Sequence, residues 1–436
     1  MPTSSTSGRL GAGDLLAISL GTSVTMWLIG YVSRVLPGVV PSWVVAALLL
    51  GSAVAGGFLA GRYTDRGAAG GAMAGLITSL VNLMVLGSLV GGGRPNELLP
   101  SAIWWLPGSL VAGAGLGLLG AAIAVSRARP ARKPINWTGA FAAVAAAATF
   151  LLIVAGGLVT SHQAGLAVVD WPNSYGYNIF LYPLARMTGG IYYEHAHRLA
   201  GSLVGLTTLV LALHLQRVDR RAWVRNLGWI ALGAVIVQGV LGGLRVTGRF
   251  TLATTPDAVA PSIALAVVHG AFAQLFFSLV VALAAFASTT WLVAPPARAD
   301  SRAAVDHAFT TLLVPVLVVQ LVLGALQRHL SQLLMAHIAF AMVVVILAIT
   351  AAVRARSLYP DLPVLPRLGR ALIALVSVQV TLGVLAFAVV STRAAGAEPT
   401  AYEVIARTAH QANGALLLAA TVLLLVWNRR LLRPAE

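Results

Sequence analysis

The stretch Glu194-His195-Ala196-His197-Arg198 opens an apolar run that continues from Leu199 to Leu215. An apolar run of about 20 residues can cross a bilayer as a helix, so a carboxylate, an imidazole and a guanidinium stand here at the mouth of a membrane span. Ionisable groups in such positions are costly and are usually retained for function. Glu194 and His197 are three residues apart and therefore share one face of the helix. The first question is whether other spans carry matching histidines.

The composition predicts an all-α polytopic membrane protein. Hydrophobic residues make up 58% of the 436 residues and charged residues only 10%, whereas a soluble globular chain carries about 25% charged residues. Apolar runs long enough to cross a bilayer follow one another along the chain. They predict twelve membrane spans, at residues 14–36, 42–61, 70–92, 104–126, 138–159, 194–215, 226–244, 262–287, 308–327, 332–352, 371–391 and 404–427.

The net charge of +16 indicates orientation in a membrane and no nucleic-acid partner. The arginines are concentrated in alternate short loops, those that follow the even-numbered spans from the fourth onward. Positively charged loops stay in the cytoplasm. We therefore expect a multi-pass protein of the cell inner (plasma) membrane, surrounded by membrane lipid, with both termini cytoplasmic. The absence of cysteine excludes disulfides, iron–sulfur clusters, thiolate-ligated heme and covalently attached heme.

A basic, proline-containing segment divides the chain. Residues 127–137 predict a cytoplasmic linker, and residues 1–126 before it predict a module of four spans without histidine. Small residues four apart in that module, as in Gly57-Phe-Leu-Ala-Gly61, favour close helix packing and imply no particular function. Residues 138–288 and 289–436 after the linker predict two repeats of four helices each.

Four histidines at or near the starts of predicted spans reveal this internal repeat. His197 and His269 are 72 residues apart, His337 and His410 are 73 apart, and the two pairs are offset by 140 and 141 residues. Each half thus carries a histidine on its second and fourth helices. Because the offset covers an even number of helices, we expect a parallel repeat of two four-helix bundles, related by a two-fold axis along the membrane normal.

A second pattern has the same offset. Glutamine and glycine stand one helical turn apart on three odd-numbered helices of the eight-helix module, at Gln238-x-x-x-Gly242, Gln320-x-x-x-Gly324 and Gln379-x-x-x-Gly383. On the first helix Ile153 and Gly157 are the expected counterparts. Both patterns predict the same correspondence between the two halves.

The predicted topology places all four histidines near the starts of helices that begin outside, in the outer half of the bilayer. Facing helices of a bundle can hold a cofactor between them, and two histidines can clamp one heme by axial ligation. A single intramembrane histidine can also be structural, with a hydrogen bond to a backbone carbonyl or a neighbouring helix. Four histidines at repeat spacing favour two sites of two ligands each. Heme is favoured over zinc or copper, because no carboxylate or thiolate completes a compact metal site.

The two halves differ beside the first histidine. Leu334 and Ile338 occupy the positions that correspond to Glu194 and Arg198. Two equivalent electron-transfer hemes would not need this difference. Glu194 is therefore a candidate acid–base or electrostatic group at a reacting heme. The structural alternative is charge stabilisation of a helix N-terminus, worth about 0.3–1 kcal/mol.

These residues resemble the signature of the heme A synthase family. The resemblance is carried over about residues 138–430 by Gly156-Gly-Leu-Val159, the loop from Gly165 to Asp170-Trp-Pro172, Glu194-x-x-His197-Arg198 and the three later histidines. It leaves residues 1–137 unexplained. Some members have a cysteine pair in external loops, which this chain lacks.

The resemblance implies oxidation of the C8 methyl group of heme O to a formyl group, which yields heme A for cytochrome oxidase. It implies that His197 and His269 bracket the substrate heme, that Glu194 is the catalytic carboxylate, and that Arg198 supports it or a heme propionate. His337 and His410 would ligate a heme b cofactor. Implied partners are heme O, heme O synthase, cytochrome oxidase assembly factors and an unidentified electron donor or acceptor.

Two other functions stay open from the residues alone. A bis-heme b membrane cytochrome that exchanges electrons with quinone explains four histidines but not the unrepeated Glu194. A transporter fits the repeat and the number of spans, but charged residues are nearly absent from the spans, which makes ion coupling difficult to build.

Overall fold

The computed structural model describes residues 12–35, 39–126, 134–247, 262–394 and 396–435. Most of the predicted linker 127–137 therefore lies outside the described residues. Twelve of the described helices are long and apolar enough to cross a membrane. The prediction of an all-α polytopic membrane protein with twelve spans is confirmed.

The spanning helices agree with the predicted spans to within a few residues at most ends. They are α1 (Gly13–Val35), α2 (Ser42–Tyr63), α3 (Gly67–Val90), α4 (Ala102–Val125), α5 (Trp137–Ser161), α6 (Gly189–Val218), α7 (Ala222–Val246), α8 (Ile263–Ala287), α10 (Ala303–Leu330), α11 (Leu334–Leu358), α12 (Val364–Ser391) and α13 (Ala401–Leu431). A short helix, α9 (Thr289–Leu292), joins the two halves. Helix α6 begins five residues earlier than predicted, so the Glu194 motif lies within the helix and not at its first residue.

Two four-helix bundles form the second part of the chain. In each bundle every helix packs on the next and the last packs on the first, α5 to α8 in one and α10 to α13 in the other. The bundles meet where α8 packs on α13, and α5 and α10 each contact the opposite bundle. This arrangement agrees with the predicted two-fold relation. Phe277 of α8 packs there against Ala415 and Ala419 of α13.

The four histidines lie at one end of the bundles, here called the histidine end, where α5, α7, α10 and α12 finish and their partners begin. The opposite end carries a short parallel sheet that the sequence patterns did not predict. Strand β1 (Arg298–Asp300) pairs with β2 (Leu432–Pro434), with Arg298 opposite Leu432. The sheet ties the connection between the halves to the last residues of the chain.

Close helix contacts hold the N-terminal helices together. A Cβ on Gly57 of α2 would lie 2.0 Å from the carbonyl oxygen of Gly117 on α4, and one on Gly75 of α3 would lie 2.0 Å from that of Gly113. The backbones therefore touch, as the small-residue spacing predicted. Helix α1 packs on α5 and, to a smaller extent, on α6. The N-terminal helices are thereby docked on the first bundle.

We predict that Gly117→Val destabilises the protein, because a Cβ there would lie 2.1 Å from the carbonyl oxygen of Gly71. Overpacking of this kind costs about 1–3 kcal/mol. The measurement is the unfolding temperature of the purified protein in detergent. Gly115→Val is the matched control on the same helix, since a Cβ on Gly115 meets no atom within 4 Å. Equal unfolding temperatures for the two variants would contradict this packing.

Candidate heme-binding and catalytic site

Each of the four histidine rings packs against a glycine on the preceding spanning helix. A Cβ on Gly156 would lie 3.0 Å from Cε1 of His197. The other three pairs repeat this contact at 2.9–3.1 Å, namely Gly242 with His269, Gly324 with His337 and Gly383 with His410. A side chain at any of these positions would push the imidazole from its place. The glycines thus set the positions of the four rings.

Glutamine side chains complete three of these contacts. The amide of Gln238 donates to the carbonyl oxygen of His269 at 2.9 Å, and Gln320 donates to that of His337 at 3.0 Å. The amide nitrogen of Gln379 lies 3.2 Å from Nε2 of His410. The pattern of glutamine and glycine one turn apart therefore marks the neighbours of the histidines.

The first half departs from this pattern, and one expected pair was wrong. Gly156, and not Gly157, contacts His197, so Leu152 takes the glutamine position in place of Ile153. Gly157 instead faces Thr408 on the other bundle, where a Cβ on Gly157 would lie 3.0 Å from the Cγ2 atom of Thr408. Successive residues of a helix point about 100° apart, so a shift of one residue changes the neighbouring helix. His197 is consequently without a glutamine neighbour of the kind that the other three histidines have.

The histidine pairs suit a metal held between two imidazoles. The ring centroids of His337 and His410 are 6.4 Å apart, close to the span of two metal–nitrogen bonds of about 2 Å each plus the inner halves of two rings. Nδ1 of His197, His269 and His410 is buried without a hydrogen-bond partner among the described residues. Within those residues no three His, Asp or Glu side chains gather as a compact metal site would require. Two-histidine ligation of heme iron fits this donor set.

Glu194 and Arg198 form a buried ion pair one helical turn apart. Arg198 Nε lies 3.1 Å from Glu194 Oε1, and the two side chains are 8% and 7% exposed. Among the described residues no hydrogen bond reaches Oε2 of Glu194. The carboxylate is therefore held by one oxygen and has the other available for substrate.

Arg198 also fixes the loop between α5 and α6. Its guanidinium donates to the carbonyl oxygens of Val168 and Asp170, both at 2.6 Å, and of Asn173 at 2.9 Å. With four acceptors, this arginine has its hydrogen-bonding capacity largely used. The family resemblance implied that Arg198 supports either Glu194 or a heme propionate. In the structure its hydrogen bonds go to Glu194 and to the loop.

Arg245 is a further charged residue at this place that the sequence patterns did not single out. It interacts electrostatically with Glu194, and a Cβ on Gly165 would lie 2.4 Å from one of its guanidinium nitrogens. Its Nε is buried without a partner among the described residues. The signal in the sequence is its position three residues after Gly242, just beyond the predicted span 226–244, whereas the helix continues to Val246.

The N-terminal helices hold the far side of the same loop. The hydroxyl of Tyr177 donates to the carbonyl oxygen of Gly93 at 2.6 Å, and Arg186 donates to it at 3.2 Å. The backbone N–H of Asn178 donates to Oδ1 of Asn96 at 2.9 Å. The loop is thus fixed between Arg198 on one side and the α3–α4 connection on the other.

Other histidines near the site have structural neighbours. His195 is fully buried, and its Nδ1 lies 2.9 Å from Ser174 Oγ. His162, just after α5, stacks on Tyr193 with ring centroids 3.9 Å apart, and burial lowers its pKa. His214 contacts Thr138 at the end opposite the histidine end. His195 and His214 thus each have a hydroxyl side chain as a hydrogen-bonding neighbour.

Glu403 is the second buried carboxylate of the histidine end. Its Oε1 accepts from Arg407 at 2.7 Å and from Arg393 at 3.1 Å, and its side chain is 1% exposed. With two guanidinium groups on one oxygen, it stabilises the start of α13.

Residues 139–339, a little under half of the chain, match the family model described as cytochrome oxidase assembly protein, COX15-CtaA. The matched segment contains Glu194, Arg198 and the first three of the four histidines, whereas His410 lies beyond it. No curated protein matches the chain.

We predict that Gly324→Val displaces the His337 ring and lowers heme binding at the second histidine pair about tenfold, in the range found when the support of a metal ligand is removed. The measurement is the reduced-minus-oxidised heme spectrum per mole of purified protein. Gly233→Val is the control, because a Cβ on Gly233 meets no atom within 4 Å. An unchanged spectrum in the Gly324 variant would show that this contact does not position a ligand.

Proposed function

We propose that the chain is a heme A synthase, on the basis that residues 139–339 match the family model described as cytochrome oxidase assembly protein, COX15-CtaA. The substrate would be heme O, whose C8 methyl group becomes the formyl group of heme A. The observation that carries the proposal is the buried Glu194–Arg198 pair, which stands one turn from His197 and is replaced by Leu334 and Ile338 in the other half.

The two histidine pairs receive different roles in this proposal. His197 and His269 would hold the substrate heme, because the unrepeated carboxylate belongs to their half. His337 and His410 would hold heme b, which supplies one-electron transfer when bound. The glycine contacts support both assignments, and the unpartnered ring nitrogens of His197, His269 and His410 support three of the four ligands.

The overall chemistry defines what the residues must do. Written with water as the oxygen donor, conversion of a methyl to a formyl group takes up one water and releases four protons and four electrons. The electrons would pass to a membrane acceptor of the quinone class, and the protons need an acceptor at the site. The free oxygen of Glu194 is placed to take a proton from the reacting group. Arg198 orients that oxygen and keeps the loop over it.

The distribution of charge supports an orientation in the membrane. Arginines are concentrated at the end opposite the histidine end, including Arg217, Arg221, Arg302, Arg356 and Arg430. The positive-inside rule then places that end in the cytoplasm and the site toward the outer side. We propose this sidedness, with both termini cytoplasmic, for the inner membrane. Heme O synthase and cytochrome oxidase assembly factors are the proposed protein partners.

We predict that Glu194→Gln leaves bound heme b unchanged and slows conversion of heme O by about 10²-fold or more, the usual contribution of a general acid–base group. The assay is extraction and chromatography of hemes from purified protein made in cells that supply heme O. Glu97→Gln, on an exposed loop at the same end, is the control. Heme A formation at the wild-type rate in the Glu194 variant would remove this residue from the mechanism.

The two histidine pairs should separate by mutation. We expect His337→Ala to lose the heme b spectrum, and His269→Ala to retain that spectrum while losing heme O binding. Both follow from the loss of one of the two imidazoles that would hold each heme. Spectra of each purified variant, with and without added heme O, measure the two effects. Loss of heme b in the His269 variant alone would reverse the assignment of the halves.

The second candidate function is a bis-heme b cytochrome that exchanges electrons with quinone. The repetition of the glycine–histidine contact in both halves favours it. Extracted pigment decides between the two, because two heme b groups per chain support the cytochrome, whereas heme O, a hydroxylated intermediate or heme A supports the synthase.

A further inference from the structure

An open apolar groove of about 470 Å³ runs between α6 and α7, directly beyond His197. On α6 it is lined by Gly201, Gly205 and Leu209. Gly201 is one helical turn from His197, and the three residues follow a line that turns gradually around the helix. On α7 its lining includes Val235 and Gly239. Gly239 lies about one helical turn before Gly242, the glycine that contacts His269. The groove therefore begins where the first pair of histidines lies.

Three glycines keep the groove open. A Cβ on Gly201, Gly205 or Gly239 would meet no atom within 4 Å. Helix packing therefore does not require glycine at these positions, unlike at Gly156 and Gly242. Glycine within a helix costs about 1 kcal/mol relative to alanine. The feature that these glycines provide is the empty space itself.

The other half carries larger side chains at the corresponding positions. The repeat offsets that relate His197 to His337 and Gly242 to Gly383 match Gly201 with Ala341, Gly205 with Val345 and Gly239 with Val380. Each replacement adds carbon atoms where the first half has none. The groove lined by glycine thus occurs in the half that also has Glu194, and the larger residues occur in the half without it.

The end of the groove joins the loop over the candidate site. Trp171 lines the groove, and its ring lies so close to Gly243 that a Cβ there would be 2.3 Å from Cδ2. The preceding residue, Asp170, has its carbonyl oxygen bound by Arg198. The groove, the loop and the Glu194–Arg198 pair are therefore continuous.

We propose that this groove receives the isoprenoid side chain of the substrate heme, an inference that rests on the proposed function. Heme O differs from heme b by a long apolar isoprenoid substituent. A site that holds this molecule needs an apolar exit beside the iron ligands, whereas a heme b site does not, and the two halves differ in this respect. Lipid chains are as apolar as the groove. The isoprenoid chain therefore gains little free energy by moving from lipid into the groove. The groove instead provides the room that the chain needs when the macrocycle is bound between the histidines.

The test fills the groove with the residues of the other half. Wild-type protein and the double variant Gly205→Val with Gly239→Val are titrated, in detergent, with heme O and with heme b, and binding is followed by absorbance. We expect the variant to bind heme O about tenfold or more weakly, the scale on which apolar pockets reject excess bulk. Heme b, which has no isoprenoid chain, should bind as it does to the wild type.

Gly233→Val is the matched control, since it adds the same atoms to α7 in open space at a position that does not itself line the groove. It should bind both hemes like the wild type. Equal heme O affinity in all three proteins would overturn the proposal and leave lipid as the occupant of the groove. Equal weakening for heme O and heme b in the double variant would overturn it too, because the damage would then not concern the side chain. Failure of the proposed function appears separately, as wild-type protein that forms no heme A.

Discussion

The contact between a glycine and an imidazole on the next spanning helix is the constraint on which the rest of the eight-helix module depends. It occurs four times with nearly the same distance, and each time the imidazole lies so close to the glycine that no side chain fits between the helix and the ring. Since the glycines lie near the ends of α5, α7, α10 and α12, all four imidazoles are gathered at one end of the protein. The same contacts that pack neighbouring helices together therefore also determine where the candidate ligands lie.

Against this repeated framework, the differences between the halves become interpretable. The first half has a buried ion pair, a leucine where the other three contacts have glutamine, and an open groove. All three differences cluster around His197. A repeat that was kept for symmetry alone would not concentrate its deviations at one ligand. Arg328 of the second half donates to Ser161 and Gln411, so the two halves are also joined by buried polar contacts close to this place.

Features encoded by long apolar runs were predicted from the sequence. Features that depend on which helix packs against which were missed. Twelve apolar runs predicted twelve spans, because each run must cover the same bilayer thickness. The roles of Gly156 and Gly157 could not be told apart, since only the position of α6 and α13 decides which glycine faces which helix. Arg245 was missed because nothing local distinguishes an arginine beside a carboxylate from one at a membrane surface. Strands β1 and β2 have three residues each, too few for a periodic pattern.

The hydrogen bonds between the α5–α6 loop and the α3–α4 connection have a consequence for how the chain divides. Gly93 and Asn96 accept hydrogen bonds from Tyr177, Arg186 and the backbone of Asn178. Without the α3–α4 connection the partly buried hydroxyl of Tyr177 would lose this acceptor. The bonds from Arg186 and Asn178 are exposed, so water can replace their acceptors. A truncation at the basic linker would therefore remove a partner of the loop that Arg198 holds beside Glu194, even though the linker separates the two parts in sequence.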